Sequence, residues 1–215
     1  SSNMRTALII GAGSGIGKGI TDVLKERGIA TIQADISFPR ESQDSTIRYV
    51  NAADSESILS LTKYLHESSV DLDYLICTIG AIDEGQTEDY PARSLSWMLD
   101  INILAPYRLV QYLLTFLRNS DTPKILLTGS AAGLGSFDST YNLMPYIVSK
   151  HGLMGYFKAL RQELAKDGIQ VSLLLPNRVQ GKLSENSAMM RSIFLDEKNG
   201  LSKGAQPLNV SLADP

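Results

Sequence analysis

Tyr146 and Lys150 stand four residues apart in Tyr146-Ile-Val-Ser-Lys150, with Pro145 directly before the tyrosine. On a helix that spacing puts a phenol and an ammonium on one face. Proline is favoured in a helix's first turn, so the pair is expected where a helix begins. A tyrosine has an ordinary pKa of about 10 and is a poor base at neutral pH. A fixed positive charge beside it favours the phenolate and lowers that value. The pair could therefore exchange protons with a substrate near neutral pH. In a chain with nine tyrosines the spacing alone means little, and its weight depends on what stands elsewhere.

The elements that must position the pair begin near the N-terminus. Residues 5–10 form an apolar run that stops at Gly11, which predicts a strand. Next comes Gly11-Ala-Gly-Ser-Gly-Ile-Gly17, then a helical pattern through Ile20, Val23 and Leu24 to Gly28. Strand, glycine-rich turn and helix make a phosphate-binding entry. Glycines let the backbone approach a pyrophosphate, and a helix N-terminus offers free N–H groups and a positive dipole end. The dinucleotide spacing G-x-G-x-x-G would need glycine where Ile16 stands; the spacing that fits is Gly11-x-x-x-Gly15-x-Gly17. Residues 29–34 predict the second strand, closed by Asp35. An acidic residue there can accept hydrogen bonds from adenosine ribose hydroxyls and would repel a 2′-phosphate. The nearest cation, Arg40, lies beyond Pro39, so NAD is expected over NADP.

Alternation of strand and helix continues down the chain. Strands are expected at residues 47–50, 73–79, 124–128 and 169–175. Helices are expected at 55–66, at 95–117 with a kink at Pro106, and at 145–166 carrying the tyrosine and lysine. The pattern predicts an α/β fold: a doubly wound, Rossmann-like parallel sheet with helices on both faces. Ligands bind beyond the strand C-termini in such sheets, and Gly11, Asp35, Asn51, Gly80, Ser130 and Pro176 all fall there.

Composition narrows the class. At 215 residues one domain over 4–215 is expected, and 43% hydrophobic with 20% charged residues suits a globular protein. A net charge of −3 without a basic stripe argues against nucleic acid. The lone cysteine, Cys77, fits a reducing, cytoplasmic compartment. No apolar run approaches the length of a membrane span, so no membrane partner is expected. Ser1-Ser2-Asn3 reads as the remnant of a removed tag. Residues 182–215 are polar and weakly periodic, with a short helix at 188–195, and read either as a segment covering the site or as a tail. Ala213-Asp214-Pro215 carries a helix-start signature, which predicts a longer natural chain in which a helix begins there.

Taken together, Gly11-x-x-x-Gly15-x-Gly17, Asp35, Asn102, Ser130-Ala-Ala-Gly133, Tyr146-x-x-x-Lys150 and Pro176 resemble the short-chain dehydrogenase/reductase family, in its shorter-subunit branch, over residues 5–181. The resemblance implies an NAD(H)-dependent oxidoreductase interconverting a secondary alcohol and a ketone. Tyr146 would pass the proton, and Lys150 would lower its pKa and hold the nicotinamide ribose. Ser130 would hydrogen-bond the substrate oxygen. Asn102 would hold a water linking Lys150 to solvent. Cofactor contacts are implied for Gly11, Ser14, Gly15, Ile16 and Gly17 in the turn, and for Asp35 and Ile36. They are also implied for Asn51 and Ala52, for Cys77 and Gly80, for Tyr146 and Lys150, and for Pro176 and Val179. Family members pair through helices corresponding to residues 95–117 and 145–166, which implies a homodimer or homotetramer.

The chain departs from the family pattern in places. Ile10 replaces a usual threonine, Cys77-Thr-Ile-Gly80 replaces Asn-Asn-Ala-Gly, and Asn51 stands where aspartate is common. Pro176-Asn177 replaces Pro-Gly, and Gly181 stands where threonine is frequent. A dinucleotide sensor or scaffold that has lost catalysis is a rival reading, as is a sugar-nucleotide epimerase or dehydratase. Tyr141 lacks a lysine four residues on, because Pro145 stands there. His66 and His151 have no metal-site company in sequence and read as solvated or structural. No metal is expected.

Overall fold

A computed structural model of the chain describes residues 4–13, 15–81, 83–128 and 143–174. Ser14, Ser130, Pro176 and Val179, and the expected segment at 182–215, lie outside the described residues.

Six strands form one parallel sheet: β1 Thr6–Ile10, β2 Ala30–Asp35, β3 Ile47–Tyr49, β4 Tyr74–Cys77, β5 Lys124–Thr128 and β6 Gln170–Leu174. Their order across the sheet is β3-β2-β1-β4-β5-β6. The direction of winding reverses between β1 and β4, and crevices at such a switch point bind ligands. The helices are α1 Gly15–Glu26, α2 Ser55–Glu67, α3 Ala92–Leu99, α4 Ala105–Leu117 and α5 Met144–Ala165.

Period-two alternation along the strands builds a core on each face. From β1, Ala7 and Ile9 pack with Ile16, Ile20 and Leu24 of α1. Leu8 and Ile10 face the other way, into a cluster with Ile58 and Leu61 of α2, Leu109 and Leu113 of α4, and Phe157 and Leu160 of α5. Strands buried on both faces read as unbroken apolar runs, which is why their positions were visible in the sequence. Asp73, expected inside β4, lies just before it. Its carboxylate accepts the Thr6 N–H at 2.8 Å and the Ser120 hydroxyl, tying β4 to β1 and to the entry of β5.

The long helix expected at 95–117 differs from that reading. It starts at Ala92 and is broken into α3 and α4 by one turn of π-helix over Asp100–Leu104. Pro106 is the physical reason. It has no N–H to give the Asn102 carbonyl in the α pattern, and the Ala105 N–H bonds one residue further back, to the Asp100 carbonyl. The result is a π turn before the proline, where a simple kink was expected. Among the described residues no helix is long and apolar enough to cross a membrane.

Candidate functional site

The phosphate-binding entry is built by close backbone approach. Gly11 has φ +94°, and a Cβ there would lie 2.4 Å from Thr78 Oγ1. A Cβ on Gly17 would lie 2.0 Å from the Gly11 carbonyl oxygen, a contact that backbone cannot yield. Both positions therefore admit only glycine, Gly11 for conformation and contact alike, Gly17 for contact. Thr78 closes the arrangement from β4: its hydroxyl donates to the carbonyls of Ile10 at 2.9 Å and Gly11 at 3.1 Å. The start of α1 is thus held against the carboxyl ends of β1 and β4, with its N-terminal dipole end at the sheet's edge.

A crevice of about 250 Å³ opens there, lined among others by Gly11, Gly15, Ile16, Asp35, Ile36, Asn51, Ala52 and Gly80. These eight were expected along a cofactor, and the structure brings them together. Asp35 ends β2, and its Oδ2 accepts the Gly13 N–H at 2.8 Å. Asn51 follows β3; its Oδ1 accepts the Ala53 N–H at 3.0 Å, and its own N–H donates to Ser57 Oγ at 2.8 Å. Glycine turn, strand-end carboxylate and a crevice at the switch point fit a dinucleotide.

One residue expected along the cofactor has its side chain away from the crevice lining. Cys77 is not at the crevice but packed in the core on the α2, α4 and α5 face, only 1% exposed. Its side chain shares a core cluster with Ile10, its partner on β1. Burial pushes the Cys77 thiol up to about 12. Thr78, Ile79 and Gly80 line the crevice instead. Thr78 and Gly13 were not singled out from sequence; a polar residue directly after a buried strand was the available signal for Thr78. Ile101 of the π turn and Ala105 also line the crevice.

Asn102 is 8% exposed and spans the Ala81 backbone. Its Oδ1 accepts the Ala81 N–H at 2.7 Å, and its Nδ2 donates to the Ala81 carbonyl at 2.9 Å. The side chain expected to hold a water is therefore engaged in a two-point clamp on the segment after β4. Its carbonyl is the group that Pro106 leaves without an α-type donor. On the other side of the π turn, a Cβ on Gly152 of α5 would lie 2.3 Å from Ile103 Cδ1, so α5 presses closely against this turn.

Tyr146 and Lys150 lie in the first turns of α5, both part-buried. Pro145 is in the first turn as expected. Ser149 between them turns inward and donates to the Pro145 carbonyl at 2.9 Å. Burial pushes the Tyr146 phenol above its ordinary pKa, the opposite direction to the lowering expected from Lys150. His151 is exposed, with Nδ1 at 2.9 Å from the Ile147 carbonyl, and His66 is exposed at the end of α2.

The chain belongs to the short-chain dehydrogenase family of oxidoreductases: the family pattern "short chain dehydrogenase" matches residues 5–191. It is similar to a cyclohexanol dehydrogenase of Acinetobacter sp. (strain SE19), 25% identical over 192 residues that cover 84% of this chain and 75% of the relative. Its fold is similar to that of an NADP complex of RhlG from Pseudomonas aeruginosa, with a TM-score of 0.73, 20% identity and 90% of each chain covered. A short-chain dehydrogenase/reductase family oxidoreductase from Brucella ovis, in complex with a partially ordered NAD, matches with a TM-score of 0.70 at 17% identity, covering 90% of this chain and 92% of that one.

The Asn102 clamp makes a stability prediction. Asn102→Ala removes two hydrogen bonds and strands the part-buried Ala81 amide and carbonyl, which costs about 1–3 kcal/mol. Urea unfolding should show the midpoint falling accordingly. A midpoint unchanged from the parent chain would mean that the clamp does not hold the turn.

Proposed function

We propose that the chain is an NAD(H)-dependent oxidoreductase interconverting a secondary alcohol and a ketone, with Tyr146 as proton donor and acceptor. The observation that carries this is the placement of Tyr146 and Lys150 in the first turns of α5, a helix packed on the π turn whose Asn102 grips the edge of the crevice. The similarity to a cyclohexanol dehydrogenase supports a secondary alcohol as substrate. Asp35 supports NAD over NADP, since its carboxylate suits ribose hydroxyls and repels a 2′-phosphate.

The glycine turn and the α1 N-terminus would hold the pyrophosphate, Asp35 the adenosine ribose, and Lys150 the nicotinamide ribose. A bound nicotinamide supplies or takes up the hydride. Tyr146 gives its proton to the carbonyl oxygen in reduction and takes it back in oxidation. Lys150 balances charge on the phenolate; Ser130, expected to hydrogen-bond the substrate oxygen, lies outside the described residues.

The raised Tyr146 pKa sets the direction of the pH response. A group held above its ordinary value stays protonated through neutral pH and loses its proton only in the alkaline range. Ketone reduction should hold steady through neutral pH and decline only in the alkaline range, where alcohol oxidation should climb. Tyr146→Phe should lower both rates at least about 100-fold while NADH still binds, as read by fluorescence titration. Turnover by the phenylalanine variant at the parent rate would refute the assignment.

The reading has a second part, that the chain self-associates. Trp97, Leu104, Tyr107 and Val148 are all more than two-fifths exposed, and they lie on the α3, π-turn, α4 and α5 segments. A homodimer, or a tetramer containing it, would cover them. Sedimentation velocity should give a dimer or larger for the parent chain and a monomer for Leu104→Glu with Tyr107→Glu. A monomeric parent chain would reject this pairing.

A further inference from the structure

The carboxylate of Asp35 is already heavily used. Its Oδ2 accepts the Gly13 N–H at 2.8 Å. Its Oδ1 accepts twice from Ser37, from the backbone N–H at 2.8 Å and from the side-chain hydroxyl at 2.7 Å. A carboxylate has about four lone-pair sites. Two protein donors fill Oδ1, and one occupies half of Oδ2. A single acceptor site remains, on Oδ2. Adenosine ribose offers two hydroxyls as a vicinal diol, one more donor than the carboxylate can take.

Of the three donors, two are backbone N–H groups fixed by the turn after β1 and by the turn after Asp35. The third is the Ser37 hydroxyl, on an exposed side chain. It also stands close to the glycine turn: a Cβ built on Gly13 would lie 2.6 Å from Ser37 Oγ. The hydroxyl thus stands beside both the Gly13 backbone and the carboxylate, two residues past the end of β2. It is the one donor that a ligand could displace, and the one that a point substitution can remove without touching the backbone bonds.

Resting on the reading of the crevice as an NAD site, we propose that Ser37 is an affinity-setting residue which competes with the adenosine ribose for Oδ1 of Asp35. In the parent chain the carboxylate receives one ribose hydroxyl fully, and the second only by turning the Ser37 hydroxyl away. Ser37 then weakens NAD binding while leaving intact the charge that excludes a 2′-phosphate. Ser37→Ala frees the second acceptor site; Ser37→Thr keeps the hydroxyl. A hydroxyl-bearing cofactor gains from the alanine change only if it has two hydroxyls to place.

The experiment is calorimetric titration of the purified chain and its Ser37→Ala, Ser37→Thr and Asp35→Asn variants. The probes are NAD+, NADP+ and NAD+ analogues lacking the adenosine 2′- or 3′-hydroxyl. Ser37→Ala should bind NAD+ about three- to tenfold more tightly, the scale of one net hydrogen bond. Ser37→Thr should match the parent, NADP+ should gain nothing, and the deoxy analogues should bind parent and Ser37→Ala alike. A serine that merely braces the loop would instead make Ser37→Ala bind every probe less tightly. NAD+ affinity unchanged or reduced in Ser37→Ala, with Asp35→Asn clearly weakened, would overturn the competition while keeping the NAD site. No NAD+ binding by the parent or any variant would overturn the crevice reading and this inference with it.

Discussion

The approach of Gly17 to the Gly11 carbonyl is the contact on which the rest of the site depends. No side chain fits between α1 and the end of β1 there, because a single Cβ would come within 2.0 Å of that oxygen. The tight passage sets where α1 begins, and therefore where its free N–H groups and dipole end point. Thr78 secures the same spot from β4 by bonding two successive carbonyls of the β1 end. The crevice lies at this junction because the sheet reverses its winding between these two strands. Asp35 reaches it from β2 and is oriented by the Gly13 N–H of the same turn.

The helix that carries Tyr146 and Lys150 hangs from this half through the π turn. Pro106 breaks the α pattern, and the displaced turn brings Ile101 to the crevice, Asn102 to the Ala81 backbone and Ile103 against α5. One five-residue segment thereby couples the strand ends that form the crevice to the helix that carries Tyr146 and Lys150. π turns of this kind recur at functional sites because they aim several consecutive side chains at different partners.

The sheet was legible because parallel strands buried on both faces are apolar throughout and end at glycine or acidic residues. The glycine turn was legible because its spacing answers to a local steric need. That Tyr146 and Lys150 share the first turns of one helix followed from Pro145 and the helical period. What could not be read were contacts made across the chain. Asn102 looked like a helix residue in either case, and only the packing of the π turn shows that its amide is committed to Ala81. Cys77 closes β4 and Thr78 follows it, and only the packing shows that Thr78 lines the crevice while the Cys77 side chain does not. Pro106 announced a disturbed helix but not which form the disturbance takes. The Tyr146 pKa was argued from a neighbouring charge, whereas burial sets its direction.

Amide hydrogen exchange with and without NADH tests the central claim most directly, because it reports where the chain responds without requiring a substrate. The account expects protection of the glycine turn after β1, of residues 50–53 after β3 and of residues 78–81 after β4, together with the first turns of α5. Unchanged exchange in all four segments at saturating NADH would contradict it. So would protection confined to the polar groove beyond β3 around Arg40, Arg48 and Ser60.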